Sequence, residues 1–187
     1  MKESLIKNTL AHEVKFPENT KKGWFNYKPP GAKEMEWIKN FGRYPNFDAD
    51  KGKLSKRLTL EIANLKEATR IIMVYHYLHR GRTMAQLPYW VMIDKIPVGV
   101  ILFAYPRLSV PLFGIPPLNI LELARLWISP TVQDKKISNN NQHHAFSVAS
   151  CAIGSALKIL QADWYRKYPN SPNVEAVVSW ADDEHHE

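Results

Sequence analysis

Apolar and polar positions along the chain fall into two rhythms, one of period two and one of period 3.6. From Arg57, the apolar Leu58, Leu60 and Ile62 alternate with Thr59 and Glu61, as in a half-buried strand. Lys66-Glu67-Ala68-Thr69-Arg70 then opens a helix whose apolar face is Ile71, Ile72, Val74, Tyr75 and Leu78, with Gly81 as its stop. Residues 89–93 and 97–105 are apolar runs divided by Asp94-Lys95, which predicts two strands of an antiparallel hairpin. After a Pro-rich loop over 106–117, residues 120–128 predict a further strand, ended by Ser129-Pro130. A polar stretch over 131–144 feeds a long helix with Phe146, Val148, Ala149, Ile153, Ala156, Leu157 and Leu160 on its buried side. In that helix the small Ala149, Ser150, Gly154 and Ser155 permit close approach, and beyond Pro169-Asn170-Ser171-Pro172 residues 174–180 read as the last strand. No internal repeat or low-complexity tract appears.

Residues 1–56 show neither rhythm, and mix lysines with Trp24, Phe25, Tyr27, Trp37, Phe41, Tyr44 and Phe47. The chain therefore divides into a basic, aromatic-rich N-terminal arm over 1–56 and a mixed domain over 57–187. Charge follows the same division: 12 Lys/Arg against 7 Asp/Glu in the arm, 13 against 11 in the rest, out of a net +7. Such an excess favours polyanions, nucleic acid above all. Lys21, Lys22, Arg43, Arg80 and Arg82 are the candidate phosphate contacts. The rings beside the cations can stack on bases. Because exposed rings are costly in water, most of them are expected to pack back onto the core instead.

At 187 residues the chain can close a hydrophobic core without disulfides or a structural metal. Cys151 is its one cysteine, which excludes an internal disulfide and suits a reducing compartment. Its apolar helical neighbours make it a packing residue rather than a nucleophile. No apolar run reaches membrane-spanning length, so a cytoplasmic protein without a membrane partner is expected.

The order strand, helix, hairpin, strand, polar loop, long helix, strand resembles the GNAT fold over residues 57–187. The implied class is α+β, a mixed, mainly antiparallel sheet flanked by helices. The resemblance further implies an acetyl-CoA cofactor lying between two splayed strands, its pyrophosphate at the N-terminus of the following helix. Free N–H groups and the dipole make such a terminus an anion site. Asn140, Asn141, Ser147 and Ser150 are the candidate cofactor ligands there. The usual glycine-rich signature of the fold is missing, so a plain capped helix is the competing reading.

Three pieces resemble the Mom family of phage DNA-modification proteins, which are GNAT-like and alter adenine against restriction. They are His76-Tyr77, Glu122-Leu123-Ala124-Arg125-Leu126-Trp127, and Val177-Val178-Ser179-Trp180-Ala181-Asp182. By that resemblance His76, Arg125 and Asp182 are the catalytic candidates and DNA is the partner. An imidazole can exchange a proton near neutral pH. The Asp182 carboxylate, just past a strand end, can accept a hydrogen bond from an adenine amine or orient His76. The Arg125 guanidinium can bind a cofactor phosphate or hold a carboxylate. Each also has a plain structural reading: His76 complementing a helix dipole, Arg125 pairing with Glu122, and Asp182 capping a turn.

His143-His144 and His185-His186-Glu187 hold ligand types that suit iron or zinc. Neighbouring imidazoles point apart, so the tail reading is preferred and iron is not assigned. The family continues past this aspartate into another helix and a hairpin, so the sheet is expected to lack these last elements. A second chain completing the sheet after Asp182 is one expected partner. Two further functions stay open: acetylation of a small-molecule or protein amine, and a non-catalytic module that binds nucleic acid or protein.

Overall fold

The structure, a computed structural model, describes residues 31–48, 51–76, 86–108, 110–133 and 148–180. Its centre is the expected hairpin of β2 (Gln86–Ile93) and β3 (Ile96–Ala104), joined by Asp94-Lys95. Both turn residues take positive φ, 50° and 68°, the left-handed pair whose twist matches that of the two strands. β1 (Leu58–Ile62) pairs antiparallel on the outer side of β2, and β4 (Ile120–Ile128) pairs antiparallel with β3. β5 (Ala176–Val178) lies parallel to β4 and is shorter than the predicted 174–180. The result is a five-stranded, mainly antiparallel sheet in sequence order with helices packed on it, an α+β architecture as the sequence predicts.

Two strands carry an extra residue. Phe103 pairs with Leu123 and Leu102 with Arg125, which leaves Ala124 as a bulge in β4. On β3 the pairing passes from Gly99–Val91 to Pro97–Met92, so Val98 is extra. Next to it Gly99 runs tight against β4: a Cβ there would stand 2.6 Å from the Trp127 carbonyl oxygen.

One core lies between the sheet and α5 (Val148–Lys167). Val148, Ala152, Ala156, Leu160 and Trp164 recur every fourth residue and form the buried stripe. The predicted face is thereby corrected: Leu157 is 48% exposed, because the stripe is set by the two alanines that let the helix approach the strands. Gly154 and Ser150, expected at the close contact, point outward.

On the opposite face the second core lies under α3 (Leu65–Tyr75), which buries Ala68, Ile71, Ile72, Met73 and Val74. Asn64 caps its start, its side-chain oxygen accepting from the Lys66 and Glu67 N–H groups at 2.9 and 3.3 Å. The sequence reading carried this helix through Leu78, but it ends at Tyr75 and His76 is already extended. Tertiary contacts fix that end: the Tyr75 ring stacks on Trp127 at 4.7 Å, and its hydroxyl donates to the Ile38 carbonyl at 2.6 Å. Leu78 and Gly81 lie outside the described residues.

Within residues 1–56 the structure shows a helix that the pattern did not predict, α1 (Ala32–Asn40), followed by a second short one, α2 (Leu54–Arg57). Nine residues with three apolar contacts, Trp37, Ile38 and the following Phe41, are too few to display a period. The helix is held from outside by Tyr75 and by an Arg70–Glu34 ion pair of 2.5 Å. Trp37 and Phe41 join the α3 core, while Tyr44 and Phe47 join the α5 core, so these rings pack inward as expected. Trp24, Phe25 and Tyr27 lie outside the described residues.

The segment that follows α1 is fastened at the end of the sheet that carries the Asp94-Lys95 turn. Gly42, at φ +78°, sits where a Cβ would meet the Trp127 ring at 2.8 Å. Its carbonyl accepts from the Thr131 hydroxyl at 2.7 Å, just past β4 in the short helix α4 (Pro130–Gln133). Arg57 donates twice to the Asp94 carboxylate and once to the Asp48 carbonyl, and the Tyr44 hydroxyl donates to Asp94 at 2.8 Å.

Candidate functional site

The site is set by where β4 and β5 stop pairing. Their last rung is Glu122–Val178, while β4 runs on to Ile128 with no β5 partner among the described residues. Backbone N–H and C=O groups are obligatory hydrogen-bonding groups, so that edge, unpaired among the described residues, can take an amide-bearing ligand. Trp164 of α5 packs on Tyr105 at the opposite end of the sheet, so the helix runs with its first described residues toward the Ile128 end of β4.

The bulge decides which side chains meet there. In a regular strand, positions 122 and 125 would face opposite sides. Because Ala124 is extra, Glu122 pairs with Ala104, Arg125 with Leu102 and Trp127 with Val100, three β3 residues that alternate onto one face. That face is the one under α3, where Val100 and Trp127 are core. His76 extends directly from the end of α3, next to the Tyr75 ring on Trp127, and is 7% exposed.

Glu122 and Arg125 thus share the α3 face of β4, and the buried His76 follows the end of the helix that covers that face. Arg125 is half-buried, and its Nη1 donates back to the Ala124 carbonyl at the bulge. Glu122 is also 7% exposed, whereas the sequence alone offers it only as a structural partner for Arg125. The available signal was a carboxylate at an inward position of an otherwise apolar strand. An aromatic wall of Trp37, Phe41, Trp90 and Trp127 closes this side. Burial pushes the Tyr75 phenol above its ordinary value, and the nearby Arg43 charge opposes that rise. Tyr75 therefore stays a hydrogen-bond donor, and the exposed Arg43 stands near the rim of this face.

Of the other predicted positions, Ser150 occupies the first turn of α5 and is exposed. Asp182, Asn140, Asn141, Ser147, Lys21, Lys22, Arg80 and Arg82 lie outside the described residues. So do His143, His144, His185, His186 and Glu187, and among the described residues no three His, Cys, Asp or Glu gather as metal ligands. Cys151 is half-buried against the α5 core, and burial raises its thiol above the ordinary value, which disfavours a thiolate nucleophile. No helix among the described residues is long and apolar enough to cross a membrane.

A profile of the Mom protein family matches residues 57–187, the span that holds the whole sheet. No curated protein and no solved structure matches the chain.

Proposed function

The chain belongs to the Mom protein family, phage proteins of DNA modification, and from that membership we propose a transferase that acts on adenine in DNA with an acyl-CoA cofactor, protecting the DNA from restriction. The observation that carries this reading is the placement of Glu122 and Arg125 on one face of β4, with buried His76 at the end of the helix that covers it and a strand edge unpaired among the described residues. A buried imidazole can take a proton from the exocyclic amine of adenine as that nitrogen becomes a nucleophile. Arg125 holds a carboxylate or a phosphate in place, and Asp182 accepts a hydrogen bond from the amine or orients His76.

Two features support the cofactor. The β4 backbone beyond Glu122 offers alternating donors and acceptors to an amide-bearing chain, and the exposed Ser150 lies among the first described residues of α5. Ser147, Asn140 and Asn141 precede it in sequence and supply further polar groups for the phosphates. Bound there, acyl-CoA would supply an activated acyl carbon. Because His76 and Glu122 are buried, an adenine must leave the base stack to reach them. Arg43 at the rim, with Lys21, Lys22, Arg80 and Arg82, meets the phosphates.

Mass spectrometry of nucleosides from DNA of expressing cells tests the reading. Wild type should yield an adenine of increased mass, and His76→Ala and Asp182→Ala should each reduce it by about 10²–10⁴-fold. Unaltered adenine from folded, soluble protein supplied with acyl-CoA would refute the assignment. Turnover on a free amine without DNA would reassign the acceptor.

A further inference from the structure

The loop between β3 and β4 ends in a tight hairpin that the chemistry above does not use. Leu112 and Ile115 exchange both backbone hydrogen bonds, at 3.1 and 2.9 Å, and close a two-residue turn. Its centre is Phe113 at φ +53° and Gly114 at φ +78°. Glycine takes such a backbone freely, whereas an aromatic L-residue is held there against its sterics. The Phe113 ring is nonetheless 92% exposed, so packing in the free protein does not explain its placement.

The tip is also stiff. Pro111 and Pro116 flank it, and each fixes a φ angle. The loop is tied down where it enters β4: the Asn119 carbonyl accepts from the Glu175 N–H at 2.8 Å, and the Asn119 amide donates to the Glu175 carboxylate at 2.6 Å. Residues 106–119 contain one charged side chain, the exposed Arg107, and no carboxylate, in a chain of net charge +7. The loop leaves the sheet beyond the Ala104–Glu122 rung, at the Glu122 end of the site's face and at the end of β4 opposite Trp127.

A stiff, convex tip one ring wide fits a slot rather than a flat surface. The gap between base pairs is such a slot, and phenylalanine is among the side chains that open it. Turning a base out of a duplex leaves a vacancy of the same thickness. We propose that Phe113 is a wedge that enters the stack of duplex DNA and holds it open while the adenine turns out, with Arg107 meeting a phosphate beside it. The proposal rests on the reading that this protein modifies adenine in DNA.

Full-length protein is titrated into a set of duplexes carrying 2-aminopurine at one adenine position in different sequence contexts, and into the same strands unpaired. Phe113→Asn removes the ring while keeping a residue at ease at positive φ; Phe113→Trp keeps a ring. Wild type and Phe113→Trp should raise 2-aminopurine fluorescence several-fold in the duplex. Phe113→Asn should lose most of that rise and about tenfold in duplex affinity, with single-strand binding unchanged. Arg107→Gln should lower the salt dependence of binding by about one phosphate contact. Failure of wild type to bind or unstack duplex overturns the wedge, as does unstacking by Phe113→Asn equal to wild type. A change confined to self-association in sedimentation overturns it too, and assigns the tip to a second copy. Unstacking that depends on Phe113, with adenine left chemically unaltered, would retire the transferase reading and keep the wedge. Altered adenine at equal yield from Phe113→Asn would do the reverse.

Discussion

On the face covered by α5, the sheet presents Leu87, Tyr89, Val91, Ile101 and Phe103 to a stripe of valine, alanine, leucine and tryptophan. On the face covered by α3 it presents Trp90 and Trp127 with a glutamate and an arginine, and a buried histidine follows the covering helix. The first face holds a buried polar link, the Tyr89 hydroxyl donating to Asp163 at 3.0 Å, and Arg166 donates to the other oxygen of that carboxylate at 2.8 Å. The second face keeps ionisable groups next to a strand edge that is unpaired among the described residues. The difference separates stability from chemistry: apolar burial on one side holds the fold, and this lets the other side carry charges that would be costly in a main core.

The separation can be tested in descending order of expected effect. Trp164→Ala, at a site 1% exposed, should cost about 3–5 kcal/mol of unfolding free energy in urea titrations. At low temperature, where the fold survives, its yield of altered adenine should match wild type. Glu122→Gln should do the opposite, lowering that yield about a hundredfold with a melting temperature close to wild type. A large drop in melting temperature with unchanged yield would move Glu122 to the structural side. Tyr89→Phe should cost about 1–3 kcal/mol, because Asp163 loses a buried donor. Burial, followed by the bond to Asp163, raises the Tyr89 phenol, so it stays protonated and donating through the alkaline range.

The smallest effect is in acid. Hydrogen bonds from Arg57 and Tyr44 hold the Asp94 carboxyl at about 2, below its ordinary 3.8. A folded-state value below the unfolded one means this contribution is complete above about pH 4 and is lost as pH falls from 4 towards 2. Acid unfolding of Asp94→Asn, followed by circular dichroism, should show a flatter stability profile across that window than wild type. Equal slopes would show that the clamp does not couple to folding.

Much of the sheet was legible because its strands obey a two-residue period with clear punctuation. Residues 120–128 form β4 as read, and Asp94-Lys95 is the turn. What sequence could not show depends on pairing between distant segments. The register with β3 creates the bulge at Ala124, and nothing in Leu-Glu-Leu-Ala-Arg marks which residue is extra. Simple alternation would have put Glu122 and Arg125 on opposite faces, so the site's composition was hidden even though His76 and Arg125 had been singled out. The end of α3 and the existence of α1 were hidden for the same reason, since Trp127 and Tyr75 hold both from outside their own segments.

The family span opens at residue 57, yet the rings that cover Trp90 and Trp127 come from Trp37 and Phe41. An expression fragment trimmed to the family boundary would bare these indoles to water and invite clumping in the test tube. The practical minimum for crystallisation or screening therefore begins upstream of Ala32, and poor behaviour of a shorter piece would say nothing about whether the enzyme works.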